Sequence, residues 1–437
     1  MFWVVFHFIS RAMLLIGDLF WWSRVAPLVP RRSWRVALGV FMSLQSIALF
    51  SLMCGSDWPR HFPTFFLITV TTWHYMALPV ALGILIAWKI RKSRHLTPAQ
   101  WLSKPATSLF PHTSFSLREL WSPDVAERET EGGRRLAPVK NPEKIDATFL
   151  PMSRREFFRA GAVWAPALFN VSLAGVALSE AAGFRVRRFT LPVAGLPKAL
   201  DGMTIAQVSD IHIGRITRGR ILQKIVDTTN DLRADMVVMT GDLIDWDFAD
   251  LDTGIGLVRA MEGRYGLWMV EGNHDLYMDA EGFRHRVRAA GIPLLRDESA
   301  VATIRGCPVQ LYGLSWFRGP EFDRPHYTSM SMGRMMEQRH PDAFPILLAH
   351  HPHAFDEAIS RGIPLTLSGH THGGYWMLDQ EHGIGSAFFK YWSGLYTRGN
   401  SQLIVSNGVG NWGLLPPIRV NAQAEIVHVT LKTVERV

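Results

Sequence analysis

The sequence predicts an α/β fold preceded by a helical membrane region, and three observations lead there. Long apolar stretches crowd the first ninety residues. Beyond Arg188 the pattern changes to short, often β-branched apolar runs separated by polar segments. Between the first two of those runs, Thr217 to Leu232 places Ile221, Leu222, Ile225, Val226 and Leu232 at helical spacing. Parallel strands need such a crossover helix.

The membrane part comes first in the chain. Val36 to Gly55 and Phe65 to Ala87 are apolar stretches of roughly spanning length, since ~20 residues cross the hydrocarbon core. Phe2 to Phe20 is a third such stretch, although Arg11 and Asp18 in it are costly in lipid. His7 and His74 within these runs read as packed residues. The net charge of +8 would ordinarily raise the question of nucleic acid. Much of the basic excess flanks the apolar runs, however, at Arg31, Arg32, Arg35, Lys89, Arg91 and Lys92. In that position it reads as membrane orientation and puts those loops on the cytoplasmic side. Residues 91–153 mix Pro, Ser, Glu and Arg without a period and read as a cytoplasmic linker, partly disordered. Residues 154–184 open on Arg154-Arg155 and resemble a twin-arginine export signal; they read as a fourth membrane segment. The domain at 185–437 is then expected outside the cytoplasm. The two cysteines, Cys54 and Cys307, exclude a disulfide framework.

In the α/β part, strands are expected at Met203–Val208, Asp235–Met239, Gly266–Val270, Pro345–Leu348 and Leu365–Leu367. Each ends in a polar cluster: Asp210 and His212, then Gly241-Asp242, then Gly272-Asn273-His274-Asp275, then His350-His351, then Gly369-His370-Thr371-His372. Ligands of open α/β sheets bind at the carboxyl ends of strands, so five clusters on one edge can converge. Carboxylate and imidazole donors without thiolate suit Zn, Mn or Fe and argue against a structural zinc site. They are too many for one ion and fit two, an arrangement that recurs in phosphate chemistry. Asp245, His326, His353 and His382 lie near the clusters in sequence only and read as surface or capping residues.

The five blocks, in this order, resemble the signature blocks of the calcineurin-like metallophosphoesterases from about residue 200 onward. The resemblance implies a four-layer α/β/β/α sandwich. Val301–Ile304, Val309–Leu314, Gln402–Ser406 and Glu425–Leu431 would supply strands of a second sheet. It also implies that Asp210, His212 and His372 bind one divalent ion, that Asn273, His350 and His370 bind a second, and that Asp242 bridges them. A hydroxide between the two cations would attack phosphorus, His274 would stabilise the developing charge or protonate the leaving alkoxide, and Asp275 would either orient His274 or simply cap a turn. His350 is preferred to His351 as the ligand because it directly follows the strand. The family's Gly-Gly-Gln after the last block is replaced here by Gly373-Gly374-Tyr375-Trp376, which alters the pocket rim.

Trp246, Trp316, Phe317, Tyr375, Trp376, Phe388, Phe389, Trp392 and Trp412 crowd the expected rim. With the membrane anchor they suggest a phospholipid or lipid-linked phosphate as substrate. Two other classes compete with this reading: a catalytically silent metal-binding sensor or scaffold, and a metal-dependent nuclease. The nuclease would need a basic, aromatic-lined groove, whereas Arg215, Arg218, Arg220, Arg318 and Arg324 are few and scattered.

Overall fold

The computed structural model describes residues 2–26, 29, 32–53, 66, 69–70, 72–83, 165–166, 168–172, 174–176, 183–214, 216–379, 382–411, 419 and 421–434. The linker at 91–153, the arginine pair Arg154-Arg155, Cys54, Arg215 and Trp412 lie outside the described residues. So do the side chains of His7 and Arg11.

Two helices open the chain, α1 (Phe2–Val25) and α2 (Arg32–Met53). Within α2, Arg32–Phe50 is the one stretch among the described residues that is long and apolar enough to cross a membrane. Both helices turn apolar side chains outward: Met13, Ile16 and Leu19 on α1, and Val36, Val40, Leu44, Ile47 and Phe50 on α2. Their polar groups, Asp18 and Gln45, are buried. A helix bundle in water shows the opposite arrangement; apolar outside and polar inside is what a lipid solvent selects. Asp18, costly as an isolated charge, is fully engaged. Its carboxylate accepts from Trp73 Nε1 and from Ser46 Oγ, each at 2.8 Å, and lies 2.8 Å from His74 Nε2. His74 Nδ1 meets Val70 O at 2.8 Å, beside the π-helical turn Trp73–Ala77. The described residues within 165–176 are helical as well, with Leu168, Phe169, Val171 and Val176 exposed. Buried Asn170 there hydrogen-bonds Thr72 and the Thr69 carbonyl.

From Arg185 the chain builds two facing sheets. The first has the order β1 (Arg185–Val193), β11 (Glu425–Thr433), β2 (Thr204–Val208), β3 (Met236–Thr240), β4 (Leu267–Val270). The second has the order β5 (Glu298–Ile304), β6 (Cys307–Leu314), β7 (Phe344–Ala349), β8 (Leu365–Ser368), β10 (Ser401–Val405), β9 (Gly394–Arg398). β2, β3 and β4 pair in parallel, as do β6, β7, β8 and β10. Parallel strands covered on both faces read as continuous apolar runs, and β3 and β7 are buried at every position.

Strand alternation divides the core into three layers of side chains. Ile205, Met236 and Val238 pack between the sheets with Leu311, Ile346 and Leu367. Ala206, Val237 and Met239 point the other way, against α3 (Arg220–Asp231), α4 (Leu251–Arg259) and α5 (Ala280–Ala289) through Ile225, Val258 and Phe283. On the far side Leu347 and Leu403 meet Met332 of α6 (Arg324–Glu337) and Phe355 of α7 (Ala354–Ser360). These are the four layers expected. The strand assignment differs from expectation in one respect: β7 and β8 belong to the second sheet, and β11 to the first. The five polar clusters therefore come from two sheets packed face to face. Gln207, buried between them, donates to Thr240 Oγ1 at 3.0 Å and across to Ser368 O at 2.8 Å, which registers one sheet on the other.

Candidate metal centre

The carboxyl ends of β2, β3, β4, β7 and β8 deliver the polar side chains to one place. Asp210, His212 and His372 bring ligand atoms within 4.8 Å of one another, and so do Asp242, His350 and His370. Asp242 also groups with His212 and His274, so it stands between the two sets. His212 Nε2 lies 3.5 Å and His350 Nε2 3.1 Å from Asp242 Oδ2; His372 Nε2 lies 3.4 Å from Asp210 Oδ1. Asn273 completes the ring. Its Nδ2 donates to Tyr277 Oη at 2.6 Å, and its Oδ1 is buried without a hydrogen-bond partner among the described residues. An orphaned buried acceptor costs about 1–3 kcal/mol, and a cation is the partner this position suits.

The backbone is bent to make this possible. Asp210, His212, Asp242, His370 and His372 all adopt positive φ, between 48° and 74°. For residues with a Cβ that region is strained, and such strain gathers at functional sites. The glycines serve close approach: a Cβ on Gly272 would overlap the Asp242 carboxylate, and one on Gly369 would overlap Ser209 and Asp210.

Electrostatics fit a cation as well. Burial pushes His212, His370 and His372 well below the usual histidine range, leaving neutral imidazoles with a lone pair to offer. Burial acts the same way on His350, but the Asp242 and Asp210 carboxylates outweigh it and lift the group to about 9. Its Nδ1 donates to Thr240 O at 2.7 Å, which aims Nε2 at Asp242. A backbone carbonyl on the remote nitrogen is how ligating histidines are commonly oriented.

His274 lies at the edge of the cluster, and its orienting partner differs from expectation. Asp275 does not hold the His274 ring. Its carboxylate accepts the backbone N–H groups of Asp242, Leu243, Ile244 and Gly272 at 2.8–3.2 Å, stitching the loop after β3 to the loop after β4. The residue that orients His274 is Asp245, expected to be a surface or capping residue: its carbonyl takes His274 Nδ1 at 2.7 Å, and its Oδ1 lies 3.3 Å away. Chain direction explains the exchange. The short helical turn at His274–Leu276 sends the Asp275 side chain back under the loops, while the loop after β3 returns Asp245 to the ring.

A second residue had no signal in the sequence. Arg419 is 1% exposed and donates to Asn407 O, Gly410 O, Ala422 O and Asn411 Oδ1. It also donates to His372 Nδ1 at 2.9 Å. Tyr375, in the place of the family's Gln, stacks flat on His372 at 5.2 Å, and Arg419 lies 5.8 Å from its ring. His372 is thus fixed from two sides with Nε2 toward Asp210.

The remaining expectations sort as follows. His351 contacts His353 Nδ1 at 3.1 Å and packs against Trp316 and His370, but it joins none of the groups of converging ligand atoms. His326 is exposed, and His382 is exposed and bound to Asp379. Of the aromatic residues, Trp316 and Phe389 pack on His370, and Trp392 is core. Phe317 and Trp376 are half-buried, while Trp246 and Phe388 are exposed.

Residues 203–374 match the family described as calcineurin-like phosphoesterase. That match takes in both sets of converging ligand atoms, from Asp210 to His372. Among curated relatives, a transmembrane protein with metallophosphoesterase domain from Danio rerio is 31% identical over 248 residues, covering 55% of this chain and 56% of the relative. An uncharacterized metallophosphoesterase, YkuE, from Bacillus subtilis is 28% identical over 300 residues, covering 64% of this chain and 98% of that one. The chain spans just over half the length of the vertebrate relatives it matches. A dimetal phosphatase structure from Danio rerio covers 53% of this chain and 93% of its own at 13% identity and a TM-score of 0.32, a likeness too loose to carry an argument. The phosphoesterase match ends at Gly374, so β9, β10, β11 and Arg419 lie beyond it.

Proposed function

We propose that the phosphoesterase domain hydrolyses phosphate ester or pyrophosphate bonds with two divalent cations, and that the N-terminal helices hold it at a membrane. The supporting observation is Asp242, one carboxylate shared between two ligand sets drawn from facing sheets. Asp210, His212 and His372 would hold one cation, Asn273, His350 and His370 the other, and Asp242 both. Bound there, the cations would supply water activation and charge neutralisation at the phosphoryl group. The chain's own residues do the rest. Asp245 holds Nδ1 of His274 and so turns Nε2 toward the position of a leaving oxygen, as a general acid requires. Tyr375 and Arg419 keep His372 in place. Trp316 and Phe389 pack on the His370 ring and wall that side of the centre. Lipid-linked phosphates are the substrate class favoured by the exposed apolar side chains near the centre and by the outward apolar faces of α1 and α2. The basic loops around the apolar stretches favour several spans, with the domain outside the cytoplasm.

Hydrolysis of a generic phosphomonoester and phosphodiester by the full chain, with Mn or Zn added, tests the activity. Asp242→Ala is expected to lower turnover about a thousandfold, near 4 kcal/mol of transition-state stabilisation, and to remove bound metal. Metal-independent turnover, or Asp242→Ala protein with full activity, would rule the reading out.

A further inference from the structure

The chain enters the phosphoesterase domain at the edge that carries the clustered ligands. β1 runs parallel to β11, and β11 antiparallel to β2, so the paired Arg185 and Glu425 lie beside the carboxyl end of β2. The backbone joins them to the centre step by step. Arg185 N donates to Ala424 O, Glu425 N to Gly408 O, and Val409 N to Ser209 O, each at 2.9 Å, and Ser209 precedes Asp210. Buried Glu425 fixes the entry by accepting from Arg185 Nη2 at 2.8 Å and from Asn407 N at 3.2 Å. The last described strand ends at the opposite edge, where Thr433 N donates to Asp201 at 2.9 Å.

The tether is short. Val176, in the helix with the exposed apolar face, and Arg185 stand nine positions apart. Fully extended, such a segment reaches ~30 Å, while a domain of this size has a radius of gyration of ~18 Å and so measures roughly 45 Å across. A tether shorter than the domain, attached beside the centre, keeps that edge turned to whatever surface holds the helix. Six large apolar side chains stand exposed in loops at this same edge: Trp246, Tyr277, Met278, Leu378, Ile384 and Phe388. Leu378 is 85% and Phe388 74% exposed, an unusual outlay of apolar surface around a polar centre. Arg218, in the loop after β2, and Arg220, which opens α3, are exposed and add positive charge suited to anionic lipid headgroups.

We propose that the metal-centre edge of the phosphoesterase domain docks on the bilayer that holds the chain's own apolar helices. The loops at 246, 277–278 and 378–388 lie at the lipid interface, and the centre faces phosphate esters borne by the membrane. The docking rests on the membrane reading of the helix within 165–176; only its substrate consequence rests on the phosphoesterase reading.

Site-selective quenching tests it on the full chain in phosphatidylcholine–phosphatidylglycerol vesicles. In a Cys54→Ser, Cys307→Ser background, Phe388→Cys and Val434→Cys each carry an environment-sensitive fluorophore, and nitroxide-bearing lipid is the quencher. Val434 is 51% exposed beyond the opposite edge, so both labels sit on tolerant positions. The label at 388 is expected to quench several-fold more than the label at 434. Equal quenching, or more at 434, overturns the docking, and no metal or turnover enters that readout. A second arm compares phosphatidic acid in vesicles with soluble p-nitrophenyl phosphate. Leu378→Ser combined with Phe388→Ser is expected to slow the lipid reaction several-fold and leave the soluble one unchanged. An equal change in both would contradict a docking role for these side chains. Should neither substrate turn over in the parent chain while the 388 label quenches, the phosphoesterase reading fails and the docking stands.

Discussion

The N-terminal helices and the phosphoesterase domain solve the burial problem in opposite ways. In the helices, Asp18, His74 and Asn170 are inside and Val36, Val40, Leu44 and Ile47 are outside. In the domain, Ile205, Val238 and Leu367 are inside, and the polar groups gather at one edge of two sheets. Each region hides what its solvent rejects, and a polar group kept at depth is costly unless it has a partner. The buried polar groups also differ in saturation. Asp18 has a partner on both oxygens, so its network closes on itself and reads as a clasp. The domain's cluster leaves Asn273 Oδ1 unmatched and presses carboxylates and imidazoles together, so it reads as a site.

Substitutions that break the contrast should differ in kind as well as in size. The largest effect on stability is expected at Asp275. An amide keeps one acceptor oxygen and would turn its NH2 toward the two backbone donors on the other. Asp275→Asn should cost about 3 kcal/mol and lower the midpoint of thermal unfolding by ~6–12 °C, visible by calorimetry; an unchanged midpoint would show that the loops hold without it. Arg419→Ala should free the loop at Asn407–Asn411 that it holds beside His372 and weaken the cation there several-fold, while the cation beside His350 stays. Metal titration by calorimetry separates the two, and equal loss at both would assign Arg419 to folding alone. Asp245→Asn keeps the carbonyl on His274 Nδ1 and removes only the carboxylate, so turnover should fall roughly tenfold, less than the ~10²–10⁴ expected for loss of the acid–base group itself, with metal content intact. Asp18→Ala should have the smallest effect, about 1 kcal/mol, read as helix-bundle resistance to denaturing detergent with turnover unaffected in the folded fraction. A variant that folds normally but loses catalysis would make Asp18 part of the chemistry and end the contrast.

Much of the centre was legible in the sequence because each cluster follows an apolar run: a strand must end where its polar residues begin, and that is where α/β sheets bind ligands. The clusters held Asp210, His212, Asp242, Asn273, His350, His370 and His372, the family resemblance singled them out, and the structure brings all but Asn273 into groups of converging ligand atoms. Asp275 takes the loop-capping one of its two expected roles, and Asp245 meets His274 instead, because a carboxylate's partner depends on the direction its loop takes, which spacing does not encode. Arg419 was invisible because it meets His372 only after β11 folds back beside β2.

By itself the sequence determined composition and order: apolar helices first, alternating strands and helices next, and metal-binding side chains at the strand ends. Tertiary structure alone decided that the five clusters come from two sheets, that Asp242 is shared, and that the chain enters beside the centre. Those are facts of closure, set by which distant segments pair, and pairing is a property of the packed chain that no local run of residues contains.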